Sequence, residues 1–276
     1  MEMDFIPLHE DQFAEESVSI IDKAAGQNIV LRILGALAVY MHCKHNEDAI
    51  NIYKRIKRLG EDKPIFTDLD LVAYGKQRKH VIHFFERTLY FKPNLIINAL
   101  FGSNRLIYYH PIGYFKVDIF FDKLEFSHDV RFGEGPGRGR LELDYPTISL
   151  ADLALEKLQI HQINLKDIID LMVLFMAHDV GTSKDREFID GSYIANILAD
   201  DWGFWYDATR NLNTVKSFAK KFYLEGKLTS EEQNIMMNRI DKLLKIIEEE
   251  PKTKNWLKRA KVGTSKPWYR EVEEIT

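Results

Sequence analysis

The chain has 276 residues, of which 45% are apolar and 29% charged, with a formal net charge of −4 and a single cysteine. That length suits one large unit or two modest ones, two being favoured, and the composition excludes a fibrous or disordered class. One cysteine excludes an internal disulfide framework and suits a reducing compartment, and the acidic balance argues against a protein that binds polyanions over its whole surface.

In chain order, residues 10 to 25 read as an amphipathic helix, and IVLRIL (29–34) as a short buried strand ending at Gly35, where a second helix begins. The polar stretch 46–63 reads as a further charged helix closed by Gly60 and Pro64. FTDLDLVAY alternates as a strand does until Gly75. A helix is predicted over 76–90, then strands RLIYYH (105–110), YFKVDIFF (114–121) and LEFSHDVRF (124–132), rich in β-branched and aromatic residues. After GEGPGRGR (133–140) and a strand RLELDY, the periodicity turns helical almost without interruption, at 149–162, 165–178, 189–200, 204–224, 229–249 and 253–261. The boundary is placed near 148, with domains 1–148 and 149–276.

The N-terminus MEMDFIPLHEDQ lacks the basic start and apolar run of a signal peptide, and Asp170 breaks the longest apolar stretch, 168–177. A run of that length cannot span a bilayer, so a cytoplasmic protein with no membrane partner is expected.

Asp68 and Asp70 stand two apart on a strand, which turns both to one face of the sheet. Two like charges side by side call for a proton or a cation, and a pair of hard oxygen ligands on a rigid strand suits magnesium. Asp118 sits within another apolar strand and can supply a third ligand. The alternative is that Asp68 starts the strand as a turn residue, Asp70 faces solvent and Asp118 pairs with a lysine such as Lys116 or Lys123. Gly35-Ala36, at a strand-to-helix junction, can offer backbone N–H groups to an anion, although close strand–helix packing explains a glycine there equally well.

This order of features, Gly35-Ala36 before a helix, then Thr67-Asp68-Leu69-Asp70-Leu71, then Val117-Asp118-Ile119, resembles the nucleotidyltransferase superfamily that includes DNA polymerase beta. The resemblance implies an α+β fold, a mixed sheet flanked by helices and followed by an all-helical C-terminal domain. It implies that Asp68, Asp70 and Asp118 bind two magnesium ions, with manganese as a substitute, and that Gly35, Ala36 and Thr67 line a nucleoside triphosphate. Ala36 departs from the usual second Gly or Ser, and the 46–63 segment lengthens the glycine-to-aspartate distance. Further on, Asp152 and Lys157, then Lys166, Asp167 and Asp170, are similar to the later motifs of the AbiEii-like toxin group. That likeness implies lysines that neutralise phosphate, aspartates near the nucleotide, and an antitoxin protein as partner. Charge pairs along amphipathic helices are the alternative for those aspartates.

GEGPGRGR could close over an anion through Arg138 and Arg140, but it lacks the Lys-Ser or Lys-Thr of a Walker loop, and a surface connection is favoured. Between Pro251 and Arg270 lie seven basic residues and no acidic one, together with Trp256, Trp268 and Tyr269. RNA is the partner such a segment suits, and a basic helix packed by its tryptophans is the alternative. The expected activity is transfer of a nucleoside monophosphate to a hydroxyl on tRNA, protein or a small molecule. Two rivals are a non-catalytic nucleotide-binding or partner-binding protein and, further behind, a phosphatase with an aspartyl nucleophile at Asp68 and Asp200-Asp201 as its late acidic pair.

Overall fold

The computed structural model describes residues 5–60, 63–181 and 185–272. Helix α1 (Glu10–Ala25) leads to β1 (Leu31–Ile33), α2 (Gly35–Cys43) and α3 (Glu47–Ile56). Strand β2 (Asp68–Ala73) precedes α4 (Arg78–His83), then come β3 (Lys92–Pro93), α5 (Leu95–Phe101), β4 (Arg105–Tyr109) and β5 (Lys116–Phe121). A two-stranded ribbon, β6 (Lys123–Glu125) with β7 (Asp129–Arg131), follows. The remainder is helical, α6 (Leu150–Leu158) and α7 (Leu165–Ala177), then α8 (Gly191–Asp200), α9 (Trp202–Leu224), α10 (Ser230–Glu249) and α11 (Lys254–Ala260), with the short parallel pair β8 (Val180–Gly181) and β9 (Ile189–Asp190) between α7 and α8. The fold is α+β, a mixed sheet with helices followed by a helical region.

Contacts divide the chain into two compact units, one formed by 1–41, 62–124 and 131–149 and the other by 42–61, 125–130 and 150–276. In the first, the sheet runs β1-β2-β5-β4-β3, with β2 and β5 parallel and the other pairs antiparallel. Val, Ile and Phe dominate β5, and five of its six residues are buried. Phe13 of α1 packs on Phe66 and Phe115 at ring separations of 5.0 and 4.6 Å, closing the core on one side of the sheet. Residues 146–148 bond to Ile33 along the β1 edge. On the other side β3 reaches only Tyr108 and Tyr109 of β4, and α5 lies beside the rest of β4, where the Asn98 side chain takes up both the N–H and the C=O of Ile107.

In the second unit, side-chain caps start helix after helix: Asn46 for α3, Asn164 for α7, Asp190 for α8, Asp201 for α9 and Thr253 for α11. Thr229 and Glu232 make a reciprocal capping box at α10. Along α10, Met236, Ile240, Leu243 and Ile247 are buried at alternating spacings of four and three, one apolar stripe of a helix.

Several local expectations change. The helix expected over 76–90 is divided into a 3₁₀ turn (Gly75–Gln77), α4 and a wide π turn (Phe84–Thr88). The 46–63 helix ends at Ile56 because Lys57 takes a left-handed conformation, φ 59°. No strand forms over 140–145. There Glu142 accepts hydrogen bonds from the Tyr74 hydroxyl and the Gly137 N–H, and Arg32 Nε reaches the Asp144 carbonyl at 2.7 Å, so local side-chain anchors replace a ladder. The expected 124–132 strand folds back on itself as β6 and β7. α5 occupies a stretch where the sequence suggested no element.

A candidate carboxylate site on the sheet

In β2, Leu69 and Leu71 are fully buried while Asp68 and Asp70 turn to the opposite face and stay partly exposed, as alternation along a strand requires. The parallel register sets Asp70 directly across from Asp118 of β5, and Asp68 across from Lys116. Three carboxylates thus share one face of two adjacent strands. Asp118 is buried, and Arg105 of β4 grips it with a two-pronged fork, Nε to Oδ1 at 2.7 Å and Nη2 to Oδ2. The hydrogen bond to Asp118 raises the Arg105 pKa, burial opposes it, and the charges of Asp118, Asp70 and Asp68 add to the rise. Arg105 therefore sits in the combined field of all three acids. Lys116 Nζ lies 3.9 Å from Asp68 Oδ2, a weaker and more exposed contact.

Gly35 closes the β1–α2 turn with φ 73°, and a Cβ built on it would stand 2.6 Å from Asp70 Oδ2. Only glycine lets the turn approach that carboxylate so closely. The Leu34 N–H donates to the Asp70 carbonyl at 3.0 Å, tying the turn to β2. Ala36 is buried behind Gly35, and Thr67 is exposed just before β2. Asp118 does not pair with Lys116 or Lys123 in its closest contacts: its partner is Arg105, which the sequence did not single out. A cation opening a strand of otherwise apolar and aromatic residues, RLIYY, was the available signal.

Carboxylate oxygens on rigid strands are the donor type that a hard divalent cation takes, and here Arg105 and Lys116 already supply positive charge to them. Among the described residues, however, no three Asp, Glu, His or Cys side chains stand close enough together to hold a metal as they are placed. The Arg105 fork occupies both oxygens of Asp118, and a metal held by all three acids needs that fork to open.

Of the residues implied by likeness to the toxin group, Lys157, Asp167 and Asp170 come together in the second unit. Lys157 Nζ lies 3.2 Å from Asp167 Oδ1, 3.2 Å from Asp170 Oδ2 and 3.3 Å from Glu156 Oε1. Asp170, fully buried on α7, also accepts from Arg58 Nε at 2.6 Å, Arg58 Nη2 at 2.8 Å and the Tyr53 hydroxyl at 2.9 Å. Burial alone would raise the Asp170 pKa, but Lys157, Arg58 and these hydrogen bonds outweigh it and hold the carboxyl below its usual range. The charge of Lys157 is thus already matched by acids of its own unit. Lys166 is exposed at the start of α7.

In the basic C-terminal segment the aromatic rings are engaged in packing. Trp268 Nε1 donates to the buried Asp207 at 3.1 Å, and Asp207 also bonds His128 at 2.8 Å and His161 at 2.9 Å. Tyr269 stacks on His161 with centroids 3.5 Å apart, Trp256 meets Trp205 edge-on, and Arg259 lies over Trp202. Lys254, Lys258, Lys261 and Lys266 remain exposed. In the 133–140 segment, Gly139 packs against the Tyr74 hydroxyl so tightly that no side chain fits there. Asp200 ends α8 and Asp201 caps α9, so the acidic pair required by a phosphatase follows a helix rather than a strand. No helix among the described residues is long and apolar enough to cross a membrane.

No family model matches the chain, and neither a curated protein nor a solved structure matches it at the significance required.

Proposed function

We propose that the chain is a magnesium-dependent nucleotidyltransferase that moves a nucleoside monophosphate from a nucleoside triphosphate to a hydroxyl acceptor. The observation that carries this reading is the in-register pair Asp70–Asp118 on parallel strands, with Asp68 on the same face and Gly35 against Asp70. Asp68, Asp70 and Asp118, once the Arg105 fork opens, would hold magnesium or manganese, which would neutralise the triphosphate and lower the acceptor pKa. The backbone of Gly35-Ala36, at the start of α2, donates to phosphate oxygens, and Thr67 borders the same end of β2. Arg105 is the residue that exchanges partners: when its fork opens, the guanidinium turns from Asp118 to phosphate, a bidentate acceptor of the same kind. Asp118, released, takes the proton of the attacking hydroxyl. The acceptor oxygen then bonds to the α-phosphorus as the bond to the bridging oxygen breaks and pyrophosphate leaves. Lys157, Asp167 and Asp170 serve this reading as the buried brace of the helical unit, and Lys166 with the exposed lysines of 251–270 offers charge to an RNA acceptor.

A second reading, a nucleotide-binding or partner-binding protein without turnover, is favoured by one feature, the Arg105 fork on Asp118. Thermal melting with each of the four nucleoside triphosphates, with and without magnesium, tests the proposal on wild type and on Asp68→Asn/Asp70→Asn. A magnesium-dependent rise in Tm for at least one nucleotide, absent from the folded double variant, is the expected result. No rise with any of them removes the basis for the transferase reading.

A further inference from the structure

The basic segment 251–270 lies wholly within the second unit, and its seven cations divide by what holds them. Lys252 is drawn in to the carbonyls of Ile247 and Glu250 at the end of α10, where burial lowers its pKa and the charges of Glu250 and Glu248 act in the opposite sense. Arg259 bonds the carbonyls of Gly263, Lys266 and Pro267, and Arg270 pairs with Asp129 at 2.6 Å. The other four, Lys254, Lys258, Lys261 and Lys266, are exposed and make no ion pair among the described residues. Lysines of α9 and α10 are placed differently: Lys221, Lys242 and Lys245 pair with Glu225, Asp179 and Glu249.

Lys254, Lys258 and Lys261 follow one another at spacings of four and three, so one side of α11 and its C-cap carries all three over about 10 Å of helix axis. Trp256 and Arg259 lie on the opposite side, against Trp205 and Trp202, and the bonds of Arg259 fold the turn that bears Lys266 back onto α11. Where α8 meets α9, Asp201 is engaged as the α9 cap, and neither it nor Asp200 pairs with any of the four lysines among the described residues. We propose that Lys254, Lys258, Lys261 and Lys266 form a ridge that binds the phosphodiester backbone of RNA by charge alone, without reading its bases. The four unpaired ammonium groups supply the charge. The rings that would stack on bases are already engaged, Trp256 with Trp205, Trp268 with Asp207 and Tyr269 with His161, which removes the stacking platform that base contact needs. An anionic membrane fits the ridge less well, since Leu257 is the large apolar side chain that α11 exposes and one leucine gives little to insert. The role of the ridge in holding an acceptor rests on the transferase reading above, whereas its affinity for RNA does not.

Fluorescence anisotropy of labelled oligouridine and oligoadenosine with the full chain, without triphosphate or magnesium, tests this directly. The two oligomers are expected to bind within about twofold of each other, and the logarithm of affinity to fall with the logarithm of salt at a slope of about −3, as four single-strand phosphate contacts require. Lys258→Gln/Lys261→Gln removes two of those contacts, halving the slope and weakening binding about twenty-five-fold at about 0.1 M salt. Both side chains are exposed, so the variant keeps the wild-type circular dichroism and melting profile. Lys221→Gln/Lys245→Gln, an equal change of charge on α9 and α10, leaves RNA binding close to wild type, and so does Asp70→Asn, which keeps the ridge separate from the carboxylate site. A wild type that binds neither oligomer overturns the ridge and leaves the carboxylate site to its own test. A strong preference for one base, a slope near zero, binding that survives Lys258→Gln/Lys261→Gln, or binding to phosphatidylserine vesicles in place of RNA also overturns it.

Discussion

Gly35 and Arg105 determine what the carboxylate face can do. Gly35 combines a left-handed φ with an approach to Asp70 that leaves no room for a methyl group. Gly35→Ala is expected to destabilise the fold by about 1–2 kcal/mol from the backbone conformation alone. It should also push the Asp70 carboxylate out of place, so that loss of nucleotide-induced stabilisation exceeds the loss in Tm; chemical denaturation paired with melting in the presence of triphosphate separates the two. Arg105 neutralises a buried acid. Arg105→Ala strands Asp118 without its fork, and removing one partner of such a pair costs roughly 3–5 kcal/mol. If a cation belongs on this face, magnesium or manganese restores part of that stability to the variant, and urea titrations with and without metal read it out. Failure of either metal to recover any stability would separate the Asp118 environment from cation binding.

At the scale of elements, the second unit is braced by one polar network that joins α6 and α7 to Tyr53 of α3 and to Arg58 just beyond it. Because the Asp170 carboxyl is held below its usual pKa in the folded protein, its contribution to stability is complete above the ordinary carboxylate range. It is lost as the pH falls through the folded value. Asp170→Asn is expected to cost several kcal/mol at neutral pH, of order 3–5 by comparison with other broken buried pairs. The gap between wild type and variant should narrow below about pH 4, where the unfolded carboxyl binds its proton. Urea midpoints measured from pH 7 down to pH 3 give the comparison, and a constant gap would remove the charge of Asp170 as the source of its effect.

Elements of this kind divide by how much of them the sequence reveals. The Asp68–Asp70 alternation and the glycine at the β1–α2 turn are local patterns, and each was legible from neighbouring residues. The Arg105–Asp118 fork was not, because it depends on which strand lies beside β5, a long-range choice that periodicity leaves open. Arg58 and Tyr53 escaped notice for the same reason, their partner Asp170 being more than a hundred residues away. The 140–145 segment alternates like a strand yet forms none, since Glu142 and the Asp144 carbonyl are claimed by Tyr74 and Arg32. α5 went unseen because seven residues with five apolar side chains exposed to solvent follow no amphipathic period.

Across the whole molecule, acidic and basic charge are distributed unevenly. A chain of net charge −4 places seven cations and no acid in its last basic segment and concentrates three aspartates on one sheet face. In the proposed function the acidic face takes the cation and the triphosphate, and the basic segment offers charge to a polyanionic acceptor. Titration calorimetry of a non-hydrolysable nucleoside triphosphate into the full chain, with and without magnesium, on wild type, Asp70→Asn and Asp118→Asn, bears most directly on that division of roles. The account predicts magnesium-dependent binding to the wild type at one site per chain, lost in both variants while their folded circular dichroism persists. Binding that is absent from the wild type, or that survives in both variants, would contradict it.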